Sequence, residues 1–192
     1  MYPADVREEM VGWLDLKTVT GKYSSGLVDE LANHYVNRSL HVHRVFNEIG
    51  TLEAAAGARR SNAKRPTSYR GRLLRGLLHK HIWQPADIWN NVVKHWEDEA
   101  RLETALRTVP VAQLGYHLVM EGFSTRAGNA ATDAPRLLTG EWSIIFAHHD
   151  GRNYYLTLGV HNDDAAIWER CKACASHFPE LDILRENRTA IA

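Results

Sequence analysis

The dipeptide Asp150-Gly151 sits between two segments rich in β-branched and aromatic residues, Glu141–His149 and Arg152–His161. A two-residue Asp-Gly connection favours a tight hairpin, because both turn positions need positive φ. This feature commits the C-terminal part of the chain to paired strands and predicts their register. His149 faces Arg152, His148 faces Asn153, Phe146 faces Tyr155 and Ile144 faces Thr157. Alternation then gives one apolar face (Ile145, Ala147, Leu156, Leu158, Val160). The other face is mixed: Trp142, Phe146, His148, Asn153, Tyr155, Thr157 and His161. A lone hairpin is marginal in water, so it needs helices beneath it or a third strand, for which Leu181–Leu184 is the candidate.

Upstream, the apolar period is helical. Val6, Met10, Trp13 and Leu14 make one stripe after Asp5, and Leu27, Val28, Leu31 and Tyr35 make a second after Ser24-Ser25. Val42, Val45, Phe46 and Ile49 make a third after Ser39. The pair of helices around Asn37-Arg38-Ser39 resembles the helix-turn-helix unit of bacterial regulators, which would aim His41 and Arg44 at a major groove. Its turn departs from that unit, with Tyr35-Val36 where a glycine usually stands, and an ordinary helical hairpin explains the same pattern. The segment from Gly71 to Ile82 also reads as helix, with Leu73, Leu74, Leu77, Leu78, His81 and Ile82 near one side, Arg72, Arg75, His79 and Lys80 on the other, and Gly76 as a weak point. Pro85 opens a longer helix, and Pro110 separates it from another that runs to Met120.

Phe123 to Thr139 is the longest expected loop and the candidate boundary. Asn162, Asp163 and Asp164 then start a last helix, with Ile167, Cys171, Cys174 and Phe178 inward. The expected class is α+β, a mostly helical part (1–122) followed by an antiparallel hairpin that packs on a terminal helix (140–192). The segment 123–139 connects the two, or the whole forms one domain.

Charge is unevenly spread. Lys plus Arg equals Asp plus Glu at 23 each, yet Ala54–Ala86 holds eight of the cations and no carboxylate. Those eight are Arg59, Arg60, Lys64, Arg65, Arg70, Arg72, Arg75 and Lys80. A stretch of this kind attracts phosphates, and Tyr69 and Trp83 are available for stacking. With Arg152 at the hairpin turn they form the expected nucleic-acid-binding set, for RNA more than DNA. An acidic protein surface is the alternative partner.

Eleven histidines supply groups that give and take protons near neutral pH. On the mixed hairpin face, His148, His161 and Tyr155 could serve as acid and base at an RNA phosphodiester, with the arginines supplying charge. His79 and His81 flank Lys80 within the basic stretch. The Cys171–Cys174 pair lies two turns inside a helix on its apolar stripe, which marks core cysteines rather than half of a zinc or redox site. No phosphate-loop glycine pattern and no nucleophile elbow is present, which argues against nucleotide-driven chemistry and acyl transfer.

The expected protein is therefore a nucleic-acid-acting one, most concretely a small, toxin-like, metal-independent ribonuclease with no cofactor. A non-catalytic DNA- or RNA-binding regulator and a protein-binding adaptor or inhibitor are the alternatives. The N-terminal residues lack the apolar core of a secretory leader and no apolar run is long enough to span a membrane, so the expected location is cytoplasmic, away from membranes.

Overall fold

The computed structural model describes residues 2–58, 61–127 and 138–186. Those residues contain seven α-helices and a five-stranded mixed sheet, an α+β fold. They fall into two compact units. One is drawn from Met1–Ser61, Pro66–Ile82 and Glu141–Ala192, the other from Asn62–Arg65 and Trp83–Gly140. The hairpin shares a unit with the first helices.

In the first unit the helices are α1 (Ala4–Lys17), α2 (Ser25–Asn37), α3 (Val42–Leu52) and α7 (Asp164–Ala173). The strands are β1 (Lys22–Tyr23), β2 (Thr67–Ser68), β3 (Leu78–Ile82), β4 (Trp142–His149) and β5 (Arg152–Val160), in the order β1-β5-β4-β3-β2. β1 runs parallel to β5, and every other pairing is antiparallel. The sheet has a core on each face. Met10, Leu14, Leu27, Leu31, Val45, Phe46 and Ile49 of α1–α3 pack with Ile82, Ile144, Phe146, Tyr155 and Leu158. Ile167, Trp168 and Cys171 of α7 pack with Leu74, Leu77, Ile145, Ala147, Tyr154 and Leu156.

Asp150 and Gly151 take φ of 47° and 74°, as the two-residue turn requires. The register follows the expected one from His149↔Arg152 to Phe146↔Tyr155 and then shifts, so that Ile145 faces Thr157 and Ile144 faces Leu158. Leu156 is the extra residue of a bulge, and beyond a bulge the strand exchanges faces. Leu158 consequently joins the core under α1–α3. Gly159 turns towards α7, where a β-carbon would stand 2.6 Å from Ile167 Cδ1.

The expected helix from Gly71 to Ile82 does not form. Gly76 adopts φ 86°, a backbone outside the helical region, and Leu77 N donates to Leu74 O to close a turn. The chain then enters β3, which supplies the third strand beside the hairpin. Leu181–Leu184 does not: Asp182–Leu184 is a short 3-10 turn whose Leu181 and Leu184 plug the α7 core.

The second unit contains α4 (Ile88–Trp96), α5 (Glu99–Thr108) and α6 (Val111–Ala127). Pro85 opens a 3-10 turn leading into α4, and Gln84 N donates to Asp87 Oδ2 at 2.8 Å. Asn91, fully buried, donates to Asp87 O and Thr139 O and accepts from Thr139 N, which satisfies a polar core group. Phe123–Ala127 is the end of α6 rather than loop, and 128–137 lie outside the described residues. No described helix is long and apolar enough to cross a membrane.

Candidate functional site

β2 and β3 are joined by a loop, Tyr69–Leu77, that is anchored rather than slack. Leu74 and Leu77 are fully buried, and Tyr69 N donates to Leu77 O at 3.0 Å. Between these anchors Arg70, Arg72 and Arg75 stand exposed. Alternation along β3 sends Leu78, Lys80 and Ile82 towards α1–α3 and leaves His79 and His81 on the α7 side.

On that side three imidazoles form a row. The His79 and His81 ring centroids are 5.1 Å apart, and His81 and His161 are 4.9 Å apart. The Tyr69 ring lies 4.6 Å from His79. Thr67 Oγ1 is 3.1 Å from His79 Nε2, and Ser143 Oγ is 3.3 Å from His81 Nδ1. His161 is exposed, His79 half-buried and the central His81 only 6% exposed, so the buried ring is flanked by two that reach solvent to different degrees. Burial pushes the Tyr69 phenol up, which keeps it a neutral hydrogen-bonding group.

The bulge explains why His161 is in this row and not beside His148. It places His161 on the face opposite Tyr155, and eight residues of extended chain separate His161 from Asn153, the partner of His148. At 3.3 Å per residue that is roughly 26 Å. His148, exposed, bonds Asn153 Oδ1 at 3.0 Å, and Arg152 stands at the same turn end. The expected trio of His148, Tyr155 and His161 is therefore not one constellation.

Tyr155 is wholly buried and donates to Glu53 Oε1 at 2.7 Å. Glu53 also accepts from Thr20 N, Gly21 N and Asn153 Nδ2. Burial pushes this carboxyl up, but the donors outweigh it and hold Glu53 below the ordinary carboxylate value. Tyr155 is raised by burial and by its bond to Glu53. This bond ties β5 to the C-terminal end of α3.

The basic set also divides. Lys80 is 3% exposed and paired with Glu48, so it is not a surface cation. Arg70, Arg72 and Arg75 lie on the anchored loop, and Arg152 lies at the hairpin turn. Lys64 and Arg65 belong to the second unit, where burial, Arg126 and Lys94 together lower the Lys64 ammonium. Arg59 and Arg60 lie outside the described residues.

Cys171 and Cys174 are buried free thiols in the α7 core, and burial pushes both up. Among the described residues no cluster of three or more His, Cys, Asp or Glu has an arrangement that could hold a metal ion. His79 and His81 complete the row and were legible as an alternating H-x-H, had Gly71–Ile82 been read with the strand period. No protein-family model matches this chain, and no curated protein or solved structure matches it.

Proposed function

We propose that the protein acts on nucleic acid, most concretely as a small ribonuclease that needs no metal, at the histidine row and the loop beside it. The observation that carries this reading is the row itself: His79, His81 and His161 in contact, with Arg70 and Arg72 on the segment that follows Tyr69. Cleavage of RNA by its own 2′-hydroxyl needs a base, an acid for the leaving 5′-oxygen and cations for the charge that grows on the phosphorus oxygens. His161 and His79 supply the two proton-transfer groups, on either side of His81. His81, held by Ser143, orients both. Tyr69 offers a ring for a base, and Arg70 and Arg72 hold the phosphates.

The test is cleavage of single-stranded RNA by the purified full chain, with and without EDTA. Wild type should cut equally in both, and His161→Ala and His79→Ala should each lose about 100-fold or more in rate. His148→Ala should cut as wild type does. Salt-dependent RNA binding without cleavage would replace this reading with the non-catalytic binding protein. No binding at low salt would remove nucleic acid from it.

A further inference from the structure

A second constellation lies between α2 and α7, on the β1 side of the sheet. A cavity of about 200 Å³ is lined by Ser25, Gly26, Leu156, Thr157, Cys174 and His177, among others. At its rim Ser25 Oγ stands 3.1 Å from His177 Nε2. That is hydrogen-bond distance between a hydroxyl and a base, the first geometric requirement of an activated serine.

Both partners are held in place. The chain passes from β1 through Ser24 directly into α2, so Ser25 is the first residue of the helix. Ser24 N donates to Tyr155 O, Ser24 Oγ donates to Leu156 O, and Ser24 Oγ accepts from Leu27 N. His177 is tied by its amide to Cys174 O, and the next residue, Phe178, is buried in the α7 core. This strand–turn–helix entry is spatial, carries no glycine signature, and is invisible in the sequence.

The first-turn amides of α2 have no acceptor within the helix and carry its positive end. Gly26, one residue into that turn, lines the cavity. The charged groups of the wall are already neutralised. Glu30 lies 3.1 Å from Arg170 and accepts from Thr157 Oγ1 and Leu158 N, and Asp29 pairs with Arg7 at 3.0 Å. What remains for a ligand is apolar surface from Leu156, Ala173 and Cys174 beside a hydroxyl and an imidazole.

We infer that Ser25 and His177 form a nucleophilic dyad that hydrolyses esters of short, uncharged carboxylic acids, with the acyl chain in the α2–α7 cavity. Ser25 Oγ bonds to the carbonyl carbon while its proton passes to His177 Nε2, in the tautomer that carries its hydrogen on Nδ1. The ester C–O bond breaks, and the alcohol leaves with that proton. Water then attacks the acyl-serine, gives a proton to His177 and releases the acid as Ser25 recovers its hydrogen. Among the described residues no carboxylate pairs with the other ring nitrogen of His177, so acylation and deacylation are both expected to be slower than in a full triad.

The experiment treats the full chain with an aryl phosphonofluoridate and, separately, with p-nitrophenyl acetate and butyrate. One adduct per chain on the Ser25 peptide is expected, with at least 100-fold slower labelling of Ser25→Ala and His177→Ala. Ala173→Trp should lower the butyrate rate more than the acetate rate, because it fills the acyl cavity. His161→Ala should label normally, which separates this site from the histidine row. No adduct in wild type, an adduct elsewhere, or equal labelling of His177→Ala would overturn the dyad.

Discussion

Lys80 Nζ lies 3.2 Å from Glu48 Oε2, with the two side chains 3% and 9% exposed. The ammonium also donates to Ser61 Oγ at 3.0 Å. This pair joins β3 to α3 inside the core, at a position where the strand period would place an apolar residue. Removing one partner strands a buried charge, so Lys80→Met or Glu48→Leu alone should each cost about 3–5 kcal/mol. The double change Lys80→Met with Glu48→Leu should be close to neutral, because the desolvation of both charges is relieved together. Urea denaturation of the four proteins closes the cycle, and additive losses would show that the two groups do not interact.

The same pair gives a pH dependence. Burial lowers the Lys80 ammonium below its ordinary 10.5, against an upward pull from Glu48. Between that lowered value and 10.5 the unfolded chain holds more protons than the folded one, so stability rises with pH across the window. The buried tyrosines, whose raised phenols lower the stability of both proteins as pH climbs near 10, cancel in the difference. The stability of wild type minus that of the double variant should therefore rise when compared in steps up to pH 10.5. An identical slope in both would assign it to other groups.

Tyr155→Phe removes the hydroxyl that Glu53 accepts from while leaving the ring in its core. A buried hydrogen bond to a charged group contributes about 1.5–3 kcal/mol, and Glu53 keeps its bonds from Thr20 N, Thr20 Oγ1, Gly21 N and Asn153 Nδ2, so the lower end is expected. RNA cleavage by this variant should equal wild type, since Tyr155 lies on the face opposite the histidine row. A large loss of cleavage with stability intact would return Tyr155 to the site.

The fold class and the hairpin were legible because Asp150-Gly151 is a local signal with one good solution. The bulge at Leu156 was not, because nothing local distinguishes an extra residue from strict alternation. It follows from fitting Gly159 under Ile167 and Leu158 over the α1–α3 core, a tertiary demand. That one-residue shift moved His161 away from Tyr155 and into contact with His81. The β3 strand was hidden for a related reason. Leu74, Leu77 and Leu78 satisfy a helical stripe as well as two anchors and a strand, and only the positive φ at Gly76 decides between them. The basic stretch was legible as composition. Its division between an exposed loop, a buried pair and a second unit depends on the β3 register, which charge cannot reveal.

Gly159→Ala tests the face exchange directly. The added methyl would meet Ile167 Cδ1 at 2.6 Å and Cγ1 at 2.9 Å. Such overpacking costs about 1–3 kcal/mol. Pairing the change with Ile167→Val should recover part of the loss, measured by thermal unfolding. A neutral Gly159→Ala would place Gly159 away from α7, and with it the register that brings His161 to His81.

The arginine loop gives the most direct measure of phosphate contact. Among the described residues no carboxylate pairs with Arg70 or Arg72, and both are exposed. Each phosphate contact on a single strand contributes about 0.7 to the slope of log affinity against log salt. If both arginines bind phosphate, the joint change Arg70→Ala and Arg72→Ala should reduce that slope by about 1.4, twice this contribution. Leu74 and Leu77 keep the loop anchored in the variant, so the fold should be unchanged by circular dichroism. The Lys80→Met and Glu48→Leu double variant serves as the control. It removes a cation of the same stretch that is buried and ion-paired, and so it should leave the slope where it was. A slope unmoved by the loop arginines, or moved as much by the Lys80 control, would take the loop out of the binding surface.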